Sequence, residues 1–208
     1  MAVYDSKSLD SLVSKLKDKD DAINKASALA VNKTATYVRG EAIDALNADV
    51  TLDKGYISKH IKVVARASSR NLRAIIRANA RGTHLSRFSH RVSKKGVAVK
   101  INRDGGYKML EKAFVVTNLR GSASKGIAMK NREAVKHFAR ASSGDSSPNM
   151  RRKLYKQRRK AQDKPNGITV LHSRSINQMF VSQREMLRPR VETFMRSEFL
   201  KDFKRLSK

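Results

Sequence analysis

Cysteine and tryptophan are absent from this chain, and proline occurs only three times. Without thiols there is no disulfide framework and no cysteine-ligated zinc or iron–sulfur centre. Aromatic residues are 6% of the 208 positions, and Tyr56, Phe88, Tyr107 and Tyr155 are too dispersed to argue for a base-stacking platform. No apolar run approaches the roughly 18 residues that cross a bilayer, and the N-terminus lacks the apolar stretch of a signal peptide. The expectation is a soluble protein made in a reducing cytoplasm, with no membrane partner.

The most informative shortage is of acid. Forty-six lysines and arginines face 18 aspartates and glutamates, a formal charge of +28. Residues 1–53 hold seven basic and nine acidic side chains, whereas residues 54–208 hold 39 and nine. Between Asp53 and Asp104 no acid occurs while 14 basic residues accumulate. A folded segment of that composition repels itself. Nucleic-acid phosphate, an acidic partner surface or an acidic neighbouring subunit would compensate it. Simple solubility charge is the alternative, although ordinary surfaces intersperse both signs.

Periodicity predicts an α+β fold, with helices at both ends and an antiparallel sheet of hairpins between them. A long first helix spans about Leu9 to Leu46. Leu9, Leu12, Val13 and Leu16 begin its apolar stripe, and Ile23, Ala26, Ala30, Val31, Ala35, Val38, Ala42 and Leu46 continue it. The cluster Lys17 to Asp21 is a candidate break, with Asp20 or Asp21 as cap, and Gly40 a candidate tight contact. Thr51 is the expected N-cap of a short helix ending near His60.

Ile61 to Ala67 and Leu72 to Ala78 are β-branched around Ser68-Ser-Arg-Asn71, which favours a hairpin. Against that, Arg66, Arg70, Arg73, Arg77 and Arg81 fall at helical spacing. Further expected strands are Val97–Ile101, Met109–Thr117 and Gly126–Lys130, with Asp104-Gly-Gly106 as a turn. Residues 140–166 combine turn composition with a basic run, Arg151 to Lys160, in which Leu154 is nearly the lone apolar anchor. A mobile loop or a helix ordered by a partner is expected there. Ile168–Leu171 reads as a buried strand. Ser175 would cap a helix carrying Ile176, Met179, Phe180 and Leu187, and Pro189 would open a last amphipathic helix with Val191, Phe194, Met195, Phe199, Phe203 and Leu206.

Catalytic patterns are missing. The five histidines never take a metal-binding spacing. Gly121 and Gly126 have the separation of a phosphate-binding loop, but Ile127 and Ala128 replace its Lys and Ser/Thr. Asp104 and Glu111 are the sole carboxylate pair considered for acid–base work, and a turn Asp beside a strand Glu is ordinarily structural. The reading is a protein that is not an enzyme and needs no cofactor or metal. Zinc-finger, basic-zipper and aromatic RNA-binding signatures are absent, so nucleic-acid contact would be sequence-independent. The candidate contact residues for DNA or a partner are Arg66, Arg70, Arg73, Arg77 and Arg81, with Arg73 and Arg77 sharing a strand face. Arg151, Arg152, Lys153, Arg158 and Arg159 form a second set. For each set the plain alternative is a solvated surface.

The order of blocks resembles the minor tail protein Z family of long-tailed bacteriophages. The likeness rests on the Ala-rich helix Ala22 to Ala35, on Val50 to Ala78 with Ile57-Ser-Lys-His60, on Gly96 to Met129 with Lys112-Ala-Phe-Val115, and on the amphipathic C-terminus. It implies one α+β domain over 1–208, a basic insertion at about 140–166, and a hairpin at Ile61–Ala78. It also implies a virion structural protein, made in the host bacterial cytoplasm and placed at the head-proximal end of the tail. Such a protein completes the tail for head–tail joining and holds the DNA end in the channel. The implied partners are the tail terminator and neck or connector proteins, further copies in a ring (a hexamer from tail symmetry), and packaged DNA. Six copies would bring roughly 170 positive charges to that ring. The alternative function is a stand-alone, sequence-independent nucleic-acid-binding protein of ribosomal or nucleoid type.

Overall fold

The computed structural model describes the backbone over residues 6–117, 119, 125–144 and 148–207, and side chains from residue 18 onward in those spans except 19, 144, 149 and 150. The expected stripe Leu9, Leu12, Val13 and Leu16 lies outside the described side chains, and Gly121 outside the described residues. The chain is α+β, with helices at both ends and antiparallel strands between them. Where the sequence reads as a single domain, the backbone gathers into two compact units. One comprises Met1–Leu46, Lys54–Ala80 and Ile176–Lys208; the other comprises Asn47–Asp53 and Arg81–Ser175.

The first unit is organised on helix α1 (Ser6–Asp49), which continues through Lys17–Asp21 without the expected break. Ala26 and Ala42 are fully buried and Ala30 nearly so, so small side chains line the packed face of the helix. The tight contact anticipated at Gly40 is not there: nothing stands within 4 Å of a Cβ built on it. Three polar side chains of α1 tie it to its neighbours. The Asn32 amide donates to Ala67 O and its carbonyl accepts the Ala67 N–H, at 2.9 and 2.8 Å. The Arg39 guanidinium donates to Ile61 O and Ser58 O. Lys33 meets Glu198 and the nearly buried Asp202, each at 2.9 Å, on the last helix. Lys201 and Lys33 together hold the Glu198 carboxyl down to about 2.

Helix α2 (Lys54–His60) runs into the hairpin of β1 (Ile61–Ala65) and β2 (Ile75–Ala78). Ser68 and Asn71 exchange backbone hydrogen bonds around a two-residue turn. The strand reading of this segment therefore holds over the helical arginine spacing, because Ile61 and Ala78 must be buried on one face of the ladder. Helix α5 (Ile176–Ser182) and helix α6 (Arg184–Leu206) complete the unit. Pro189 lies inside α6, five residues after its start, rather than opening it. Near a helix start a missing N–H removes one hydrogen bond at most. The α6 stripe packs partly through Phe194, which stacks on Tyr37 of α1 at 4.2 Å between ring centroids.

In the second unit the expected central sheet is divided into three small antiparallel ladders. Strands β3 (Gly82–His84) and β10 (His172–Ser175) form one, so Ser175 ends a strand immediately before α5. Strands β4 (Ser89–Ser93), β5 (Gly96–Lys100) and β6 (Lys108–Glu111) form the next, and β7 (Phe114–Val116), β8 (Gly126–Lys130) and β9 (Ile168–Val170) the third. The anticipated single strand Met109–Thr117 breaks at Lys112, whose φ is 60°. That left-handed residue turns the chain out of the β5 ladder and into the β8 ladder. Ile168, expected to be buried, is 53% exposed, and Leu171 beyond it is buried at 3%. Phe88, Val97, Ile127, Met129 and Leu171 form the apolar interior.

Thr51 is not a helix cap. Its N–H donates to Ile101 O at 2.8 Å and its hydroxyl to Lys100 O, while it accepts the Ser89 N–H. It stitches residues 47–53 to the second ladder. Helix α3 (Asn131–Gly144) and helix α4 (Pro148–Gln162) form a helical hairpin. Buried Asn131 anchors its base: the amide donates to Lys164 O and the side-chain carbonyl accepts the Thr169 hydroxyl at 2.6 Å. Gly96, at φ +148°, marks where β5 crosses close to β6, and a Cβ there would overlap the carbonyl oxygen of Leu110. Gly96→Ala is expected to cost at least about 2 kcal/mol, read as a lower urea midpoint at unchanged helix content.

Candidate nucleic-acid interface

Charge is shared more evenly between the units than along the sequence, and both units are positive. The unit containing residues 81–175 holds 24 basic and seven acidic residues, a surplus of 17. The other holds 22 and 11. In the second unit Lys112 pairs with Glu133 at 3.1 Å. Ion pairs in the first lie at Lys33 (two), Lys54, Arg184, Arg188, Arg190, Lys201 and Arg205. Folding brings the acids of α1 and α6 together and leaves residues 81–175 with few.

The five arginines 66–81 do not form one surface. Arg66 follows β1, is exposed, and lines a shallow depression with Tyr37, Glu41 and Phe194. Arg70 occupies the hairpin turn, and Arg73 lies in the irregular segment before β2. The expected Arg73–Arg77 face is therefore corrected: Arg73 is outside the ladder. Arg81 belongs to the second unit, where it has an interaction of its own. The residue that joins Arg77 is Lys62, directly opposite it in the β1–β2 register, and both are exposed. Like charges directly opposite on a sheet are destabilising. Among the described residues no carboxylate pairs with Lys62, Arg66, Arg70, Arg73 or Arg77. Lys62 was not selected from the sequence, because opposition across a hairpin depends on register; the alternation Lys62, Val64 was its one signal.

The basic run 151–160 is helical, which corrects the first of the two expectations, a mobile loop. Pro148 opens α4, where a missing N–H is harmless. Leu154, Gln157 and Ala161 form the inner side, and Ala161 is 1% exposed. On α3, which packs against α4, Ala134 and Phe138 are likewise buried. The side chains then divide by helical angle. Arg152, Tyr155, Lys156, Arg159 and Lys160 recur at intervals of three and four and are all exposed, Tyr155 to 58%. Arg151 and Arg158 turn toward a depression shared with Tyr155, Ser142 and Ser143. Lys153 turns the other way, toward an internal cavity.

The outer face of α4 is thus a cationic strip about two and a half turns long with one phenol in it. Such a strip suits a phosphate backbone: ammonium and guanidinium groups contact oxygens, and no base-reading geometry is required. Tyr155, Lys156 and Lys160 belong to this strip and were not singled out beforehand. No group of three or more His, Cys, Asp or Glu able to hold a metal ion occurs among the described residues. Glu111 sits opposite Gly96, at the far end of β6 from Asp104, so the two do not form an acid–base pair.

The cationic environment also acts on imidazoles. His84 and His172 face each other across β3 and β10 with ring centroids 4.4 Å apart. Burial, then Arg87, holds His84 below the ordinary histidine range. Burial, then His84, does the same for His172, and Lys153 adds to it. His137 on α3 is lowered by burial and by Arg140. Folding therefore favours the neutral rings. Below about pH 6.5 the unfolded chain binds more protons than the native one, so stability falls as pH falls. The urea midpoint is expected to decline steadily from pH 7 to pH 5.5, and the decline to be shallower in His84→Asn/His172→Asn.

Comparison of the chain with protein-family models, with curated proteins and with solved structures finds no match. No helix among the described residues is long and apolar enough to cross a membrane.

Proposed function

We propose that this chain is a structural protein of a bacteriophage virion, one that completes the tail at its head-proximal end and enables head–tail joining. In this reading copies assemble as a ring against the tail terminator and neck proteins. The Lys62–Arg77 face and the outer strip of α4 then meet packaged DNA or carboxylate-rich neighbours. One observation carries it: Lys62 and Arg77 oppose each other without a described carboxylate. That arrangement is unfavourable in isolation and favourable beside a polyanion. The block order of the tail-protein resemblance supplies the particular setting.

The second reading is a stand-alone, sequence-independent nucleic-acid-binding protein. It is favoured by a specific feature, the prefolded α4. A helix already packed on α3 presents its cations without a ring to order it.

Mass photometry of nuclease-treated protein, alone and with purified tails, separates the two. Rings or tail-bound copies support the first. A monomer that ignores tails and co-purifies with ribosomal RNA replaces it with the second. In either case Arg152→Glu/Lys156→Glu/Arg159→Glu should fold normally, since all three are exposed. Each lost phosphate contact should lower the slope of log affinity against log salt on duplex DNA by about 0.9. An unchanged slope would remove α4 from the interface.

A further inference from the structure

The second unit contains a cavity of about 510 Å³ between α3, α4, β10 and the β4–β5–β6 ladder. Its floor is apolar: Leu85, Val99, Ile101, Leu110 and Leu154 line it. Its formally charged groups are of one sign among the described residues. Lys108, Lys153 and Arg174 border the space and no carboxylate does. Lys153 and Arg174 are only partly exposed and make no ion pair among the described residues. Two half-buried cations beside an apolar floor forfeit part of their hydration, and an anion seated between them would restore it. The volume lies in the range of small-molecule sites, which combine apolar walls with a few converging polar groups.

We infer that this cavity binds a small organic anion with an apolar body, a carboxylate or sulfonate carried on a ring or short branched chain. The body covers Leu110, Val99 and Leu154, and the acid group lies between Lys153 and Arg174. Gln157 and Ser173 at the same wall offer neutral donors to the remaining oxygens. The site is separate from the polyanion strip. Lys153 points inward from α4, whereas Arg152, Lys156 and Arg159 point outward, so one helix serves two surfaces. The inference does not depend on the tail-protein reading.

The test uses the full-length protein and anilinonaphthalene sulfonate as probe, with phenylnaphthylamine as its uncharged counterpart. Fluorescence titration should show saturable binding at one site per chain, displaced by benzoate. The uncharged amine should bind at least about tenfold more weakly. Lys153→Gln/Arg174→Gln should weaken probe binding by about tenfold or more while circular dichroism is unchanged. Leu154→Trp should abolish binding by filling the floor; if that variant fails to fold, the rim double variant decides. Arg152→Glu/Lys156→Glu should leave probe affinity within about twofold, because ion pairing at the outer strip is not the site. Non-saturable binding, equal binding of the amine, or the same affinity in the rim double variant would overturn the inference.

Discussion

Electrostatic self-repulsion is the constraint on which the architecture of this chain turns. A formal charge of +28 leaves few carboxylates to place, and the fold concentrates their use. Helices α1 and α6 lie at opposite ends of the sequence, yet Lys33 draws Glu198 and Asp202 to α1, and Arg190 draws Glu41 to α6. These contacts join elements about 150 residues apart, and they take up carboxylates that are then not available to the remainder. The second unit is left with a surplus of 17 positive charges.

A unit so charged has to be held by uncharged means. Two polar side chains, partly buried Thr51 and buried Asn131, illustrate how. Thr51 fastens residues 47–53 to Lys100, Ile101 and Ser89 through neutral hydrogen bonds. Asn131 fastens the α3–α4 hairpin to Lys164 and Thr169 in the same manner. Neither adds or removes charge, and each satisfies backbone groups that burial would otherwise leave unpaired. Because α4 is held by its apolar inner side and by this anchored base, its cations are spared structural work. The ones that face outward are available to a polyanion, and Lys153, facing inward, gives a cavity its sign.

Much of the fold was legible before the structure. Alanine and leucine periodicity marked α1, and β-branched runs around a polar turn marked the β1–β2 hairpin despite the helical spacing of the arginines. What escaped has identifiable physical causes. Strand β4 ends in Lys94-Lys95, a turn without the usual glycine or asparagine, so no turn signal announced it. The break at Lys112 was invisible because lysine seldom adopts a positive φ, and apolar Met109, Leu110, Phe114 and Val115 on either side read as one continuous strand. The apolar face of α4 was hidden because alanine counts for little until packing against α3 buries it, as it buries Ala161. The candidate contact residues were legible as a class, and their grouping was not. Arg73 and Arg77 separated, Lys62 joined Arg77, and the cations of 151–159 divided among an outer strip, a depression and a cavity.

The sequence by itself determined the sign and size of the charge, the helical ends of the chain and the β-rich middle, since composition and periodicity are local properties that no neighbour alters. Only the tertiary structure decided which cations would find carboxylates and which would stand opposed. Pairing depends on distances between residues far apart in the chain, and those distances follow from strand register, a left-handed turn at Lys112 and the packing of one helix upon another.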